Sequence, residues 1–378
     1  MLNKPKTIRK IKVLIMIIIN NSDSTTKELK PTILICGYTG SGKTSLIQSI
    51  FGTQTVPDNQ IGHDSPMTRE FIKYLNEFID IWDSRGLEVA DNEKDFVDRT
   101  RKLITDIQKK NNPENQIHVV WYTIQGSGAR VTSTDLELIQ SIFKNVIVVI
   151  TKTDITQSKQ LTPMIQKLQH NGIERENILP VFVYQKDEDS EDSENDENKE
   201  KEKREKSKQS LLKLLNRTLT LMPSAYKDAF ESAQMLDLDN KIKKAQSIIH
   251  GCATAASIAS ADPIPVKDSV IITTIQTGMI VSLATVYGLP KEVANTAVAA
   301  FVAQAAGTAA VTSLLKLFPG GGNIIQATVA FTLTQAVGQA VSAYMIECCK
   351  ALIGEGSPPK FILKDFNSFF QNLGNTDI

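Results

Sequence analysis

Gly37, Tyr38, Thr39, Gly40, Ser41, Gly42, Lys43 and Thr44 form a GxxxxGKT run between an apolar segment, Thr32 to Cys36, and the start of a helical pattern. These residue types at this spacing suit the gripping of a nucleotide's phosphates. Glycines let backbone N–H groups approach an anion closely, and a helix N-terminus adds donors that have no partner within the helix. Lys43 is placed to reach the β and γ oxygens, the Thr44 hydroxyl to bind Mg²⁺, and Ser45 to extend the phosphate-facing turn.

Two further groups of residues follow in the order a triphosphate needs. Asp83 and Gly86 form a DxxG after the apolar run Ile79 to Trp82. There the carboxylate can hold Mg²⁺ through water and the glycine N–H can meet the γ-phosphate. Thr68 lies in the polar stretch before that run and is expected to join the Mg²⁺ shell, with Thr55 and Ser65 as rivals. Lys43, Thr68 and Gly86 are thus the residues expected to act in catalysis, and Thr44, Thr68 and Asp83 to hold the metal. Leu87 stands where a water-orienting glutamine would serve phosphoryl transfer, so slow intrinsic turnover is expected. Arg85 and Arg130 are candidate charge stabilisers, against the plainer reading of surface arginines.

Thr151, Lys152, Thr153 and Asp154 read TKxD after the strongest apolar run of the chain, Val146 to Ile150. A carboxylate at Asp154 can accept hydrogen bonds from N1 and the 2-amino group of guanine, a pattern adenine does not present. The stem of Lys152 can lie over the base. The four groups in this order resemble the G motifs of translation-factor-class GTPases, most closely the Era/Der-like class, over about residues 31–222. That resemblance implies GTP or GDP and Mg²⁺ as ligands. It also exposes two departures. Thr151 replaces the usual asparagine, which is expected to weaken the bonds bridging the loops, and Val183 and Tyr184 occupy the place of an indistinct final base loop.

These groups need a sheet to position them. Short Val/Ile-rich runs alternate with amphipathic segments from Pro31 to about Met222, the pattern of a doubly wound α/β domain with a mostly parallel sheet. Strands are expected at 32–36, 70–74, 78–82, 118–123, 146–150 and 179–184, and helices at 43–51, 95–109, 134–143, 163–171 and 209–221. Residues 185–208 are an acidic block running into a lysine/glutamate block, which reads as a disordered solvated insertion. Before this domain, residues 1–30 join a basic run to the apolar run Val13 to Ile19. No small-residue cleavage site follows, so an extra strand or a reversible basic-hydrophobic membrane anchor is expected.

Residues 223–358 change character, becoming rich in alanine, glycine and threonine, with 359–378 as a terminal helix or tail. About residues 233–351 resemble the helical domain of uncharacterised function that follows the GTPase in several bacterial-type GTP-binding proteins. The resemblance rests on Lys241 to His250, Asp262 to Pro265, Asp268, Ile275, Gln276, Met279, Ile280, Tyr287, Gly288 and Leu317 to Gly322. Three stretches without charge, 269–290, 293–315 and 317–346, are each long enough to cross a bilayer. Their glutamines and threonines suit a packed bundle that touches a membrane reversibly. Ala299, Ala303 and Gly307 form a small-residue stripe for close helix approach.

Composition narrows the rest. Lysine plus arginine and aspartate plus glutamate number 42 each, so no global charge marks a polyanion binder and no nucleic-acid partner is expected. Cys36, Cys252, Cys348 and Cys349 show no metal or disulfide spacing, which suits a reducing, cytoplasmic setting. The leading expectation is a GTPase switch that couples nucleotide state, through a nucleotide-dependent homodimer, to a membrane- or partner-binding helical domain. The rival is a membrane or scaffold protein that binds guanine nucleotide structurally without turnover.

Overall fold

The computed structural model describes residues 29–52, 71–75, 77–84, 93–109, 116–128, 130–141, 144–184, 194–260, 268–307 and 323–354. The chain divides into two units, Leu29–Leu236 and a second that contains Asp237–Ile378.

In the first unit six strands form one sheet: β1 (Thr32–Gly37), β2 (Phe71–Leu75), β3 (Asp80–Ser84), β4 (Val119–Gln125), β5 (Val146–Thr151) and β6 (Ile178–Pro180). Their order is β2-β3-β1-β4-β5-β6, with β2 antiparallel to β3 and every other pair parallel. Strand periodicity sends Ile33, Ile35, Trp121, Ile147 and Val149 to one face. There they meet α1 (Lys43–Phe51), α5 (Glu194–Leu221) and α6 (Ser224–Ala233). Leu34, Cys36, Tyr122, Val148 and Ile150 face the other way, onto α2 (Glu93–Lys109), α3 (Ser133–Ser141) and α4 (Ser158–His170). Both faces are covered, so the central strands read as unbroken apolar runs. The α/β architecture expected of a P-loop GTPase is present.

Several boundaries moved, each for a physical reason. α4 begins five residues before Pro163, because Gln157 and Gln160 form a capping box that starts the helix earlier. β6 stops at Pro180, and beyond Val181 the backbone of Phe182 and Tyr184 bonds to α5. α6 lies beyond the expected boundary at Met222, yet Tyr226, Phe230 and Ala233 are buried in the first unit's core. The largest correction concerns the charged insertion. Residues 194–208, read as disordered, form the first half of α5. Ion pairs one turn apart, Arg204–Glu200 at 3.1 Å and Lys206–Glu202 at 2.6 Å, support that half. Residues 185–193 lie outside the described residues.

The second unit contains α7 (Leu238–Ser260), α8 (Asp268–Tyr287), α9 (Lys291–Gly307) and α10 (Asn323–Gly354). Its buried polar groups bond across helices, as an apolar interior requires. Gln276 Nε2 donates to Thr334 Oγ1 at 3.1 Å, Tyr287 and Ser342 share a hydroxyl bond at 2.6 Å, and Lys241 Nζ donates to the Tyr287 carbonyl at 2.8 Å. A Cβ at Gly338 would stand 2.7 Å from Ile249 Cγ1, so glycine permits the approach of α10 to α7. Of the expected small-residue stripe on α9, Ala299 is exposed, while Ala294, Ala297 and Phe301 are buried. Side chains of Ala303 and Gly307 lie outside the described residues. Among the described residues one segment, Ala327–Ile353, is long and apolar enough to cross a membrane. Thr328, Thr332, Gln339, Glu347 and Lys350 are exposed on it, which gives that helix a polar outer face. All four cysteines are buried and free.

His118 ties the start of the sheet together. Its Nδ1 accepts the Thr32 N–H at 2.9 Å, and its ring lies 3.9 Å from that of Tyr226. A protonated Nδ1 cannot accept, and burial holds this imidazole's pKa below the ordinary 6.5. The unfolded chain therefore takes up the proton first as pH falls. Stability from this group is whole above 6.5 and is lost as pH drops through the depressed folded value. His118→Gln keeps an acceptor without a titration, so urea melts between pH 7.5 and 5 should show a shallower loss of stability in the variant than in the wild type.

Candidate nucleotide site

The glycine run lies between the end of β1 and the first turn of α1, where the sheet's central strand delivers it to the carboxyl edge. Three glycines of the loop, Gly37, Gly40 and Gly42, have positive φ. Gly37 has φ 144° and no room for a Cβ, which would meet the Thr123 carbonyl and hydroxyl oxygens at 2.3 Å. Gly42, immediately before α1, has φ 86°. Ser41 N–H closes the loop onto the Tyr38 carbonyl at 3.1 Å. Lys43 Nζ donates to the carbonyls of Gly37 (3.1 Å) and Tyr38 (3.0 Å), which holds the ammonium within the loop. Thr39, Gly40 and Thr44 are exposed at its mouth.

A buried hydroxyl network holds the loop against its neighbours. Thr123 Oγ1 donates its one proton to the Cys36 carbonyl at 2.9 Å, so Ser41 Oγ must donate in the 2.7 Å bond between Ser41 and Thr123. Thr151 Oγ1 donates to the Ser41 carbonyl at 2.7 Å. The threonine hydroxyl at the end of β5 thus makes one bridging bond to the glycine loop. Neither Ser41 nor Thr123 stood out in the sequence for this role, since a serine and a threonine 82 residues apart carry no joint signature.

Asp83, on β3, lies beside this loop. It is 5% exposed, accepts a hydrogen bond from the Tyr74 phenol, and its Oδ1 has no hydrogen-bond partner among the described residues. Burial pushes its pKa from 3.8 up to about 6, against the pull of the Lys43 charge and the Tyr74 bond. Burial likewise lowers the Lys43 pKa, with the Asp83 charge opposing. Burial thus works against the charged form of both groups. Buried carboxylate oxygen without a donor fits a divalent cation. Thr44 and Asp83 would hold Mg²⁺ here. Thr68, Gly86, Arg85 and Leu87 lie outside the described residues. Arg130 is exposed ahead of α3.

The TKxD turn follows β5. Lys152 adopts the left-handed region (φ 55°), at a cost of roughly 1–2 kcal/mol for a residue with a Cβ, and such costs gather at binding sites. Thr156 Oγ1 donates to the Lys152 carbonyl at 2.7 Å, and Thr153 N–H to the Val181 carbonyl at 3.3 Å. Asp154 is left exposed at the turn. Val183 and Tyr184 follow β6, so the expected base-loop residues adjoin the segment that holds this turn. A phosphate loop, an acid beside its lysine and a turn carrying an exposed aspartate thus line the carboxyl edge of one parallel sheet, where open α/β sheets bind nucleotides.

Comparison with known proteins agrees with this class. The family model described as Septin matches residues 89–209. "Septin-1" of Drosophila melanogaster is 23% identical over 195 residues, covering 44% of this chain and 53% of that protein. The chain thus spans about half the length of the curated relative it matches. The first unit has the fold of a P-loop GTPase (G) domain and is similar, over the matched residues, to septins. The comparisons support a G domain and give the Era/Der-like assignment no support.

The raised pKa of Asp83 has a measurable cost. For an acid raised on folding, stability is present below the ordinary value near 4 and is lost as pH rises through about 6. The gap corresponds to roughly 3 kcal/mol above that window. Asp83→Asn should stabilise the nucleotide-free protein at pH 7.5 by up to that amount, and by little at pH 4, in urea melts at the two pH values. The same variant should lose Mg²⁺-dependent nucleotide affinity.

Proposed function

We propose that this chain binds GTP and GDP with Mg²⁺ and hydrolyses GTP slowly, as a nucleotide-controlled switch whose output is the helical second unit. The observation that carries the reading is the bond from Thr151 to Ser41. It ties the glycine loop to the strand end that leads into Asp154, which supports reading the two as one site.

Each residue has a task in this scheme. Backbone N–H groups from Gly37 to Thr44, with Ser45 next in the first turn of α1, bind the phosphates. Lys43 transfers its hydrogen bonds from the loop carbonyls to the β and γ oxygens. Asp154 accepts from the guanine edge, and the Lys152 stem covers the base. Mg²⁺, when bound, supplies charge neutralisation on the phosphate oxygens. Thr68 completes the metal shell and Gly86 meets the γ-phosphate, so these two residues sense whether the γ-phosphate is present. Leu87 cannot orient a water. Turnover is completed by a residue from a second copy of the domain in a nucleotide-dependent homodimer.

Engagement of a membrane lipid surface or a partner by the second unit follows nucleotide state, and the protein works in the cytoplasm with part of it at membranes. Support comes from the long apolar segment of α10 together with the polar face that keeps it in water. Multiple-turnover phosphate release tests the scheme. Turnover should be slow, should rise with protein concentration, and should fall by about a hundredfold in Lys43→Ala, the scale of losing one transition-state charge contact. Nucleotide binding without any turnover that depends on Lys43 would replace it with the scaffold reading.

A further inference from the structure

After β6 only Val181 still bonds to β5, and the backbone groups of Phe182 and Tyr184 find side-chain partners on α5. Tyr184 N–H donates to Ser207 Oγ at 3.0 Å, Ser207 Oγ donates to the Phe182 carbonyl at 2.8 Å, and Phe182 N–H reaches Ser210 Oγ at 3.4 Å. The Tyr184 side chain is held as well. Its phenol donates to Glu200 Oε1 at 2.6 Å, and the Arg204 guanidinium, paired with the same carboxylate, lies 5.2 Å from the ring centroid. Beyond Phe182 the path continues without a break. Val181 accepts the Thr153 N–H at 3.3 Å and donates its own N–H to the Ile150 carbonyl at 2.8 Å. Thr153 precedes Asp154.

Ser207 is out of keeping with its surroundings. Among the described residues of the charged stretch 198–210 it alone is buried, at 4% exposure. A serine inside a helix is a poorer helix former than alanine, and its hydroxyl competes for backbone groups. Here that hydroxyl both donates and accepts outside the helix's own turn. We propose that Ser207 is a positioning residue for purine specificity: through Phe182 and Val181 it fixes the turn that aims Asp154, so the charged half of α5 sets how strictly guanine is read. This rests on the assignment of Asp154 to guanine made above.

Titration of the full-length protein with GDP and with inosine diphosphate, which lacks the 2-amino group, separates positioning from general stability. The wild type should prefer GDP. Ser207→Ala should lose about tenfold in GDP affinity, the scale of one charged hydrogen bond, while inosine diphosphate loses less, so that the preference shrinks several-fold. Ser207→Thr, which keeps the hydroxyl, should restore it. An equal loss for both nucleotides, or an unchanged preference, would overturn the inference and leave the guanine reading intact. A wild type that binds GDP and inosine diphosphate equally would remove the guanine reading and the inference with it. Should Ser207→Ala not fold, Tyr184→Phe removes only the bond to Glu200 and must shrink the preference in the same direction, by about threefold. No change there overturns the inference equally.

Discussion

One buried hydroxyl, on Thr151, joins the two halves of the site. It ends β5, the strand whose next residues turn to present Asp154, and it donates to the carbonyl of Ser41 in the phosphate loop. Ser41 in turn is anchored to β4 through Thr123, which holds the Cys36 carbonyl of β1. Three adjacent parallel strands are thereby tied at their carboxyl ends by threonine and serine side chains. The distance between the place for phosphates and the place for a base becomes a property of the sheet, which is among the least deformable parts of the molecule.

The same edge carries a deliberate imbalance. Asp83 and Lys43 are drawn from water far enough that burial opposes the charge on each, and Asp83 retains an oxygen without a donor. A fold selected for stability alone would place an uncharged pair there. In the proposed scheme an anionic ligand with a divalent cation would resolve the imbalance, the cation meeting Asp83 and the anion meeting Lys43. In the second unit buried polar groups are, by contrast, matched within the protein: Gln276 with Thr334, Tyr287 with Ser342, Lys241 with the last carbonyl of α8.

Legibility from the sequence followed the range of the interaction. β1 and β5 were readable because strands buried on both faces must be apolar throughout, and the glycine run was readable because its chemistry is local. Hydroxyl bridges between Ser41, Thr123 and Thr151 were not, since short polar side chains that meet only in the fold leave no pattern along the chain. Residues 194–208 misled for a related reason. Their composition argues for solvation, and most of them are indeed exposed, but Glu200, Arg204 and Ser207 find partners in residues 182–184 that composition does not reveal. On α9, spacing alone did not say which small residues turn inward: Ala294 and Ala297 are buried while Ala299 is exposed.

The central claim is that one rigid site holds both phosphates and guanine, joined at Thr151. Calorimetric titration of GDP and ADP in Mg²⁺ into the full-length protein, with Thr151→Val alongside, tests it most directly. The account predicts heat with GDP and none with ADP, and a GDP affinity about tenfold weaker in the variant, as loss of one buried hydrogen bond implies. Equal binding of ADP and GDP, or a variant as tight as the wild type, would contradict it.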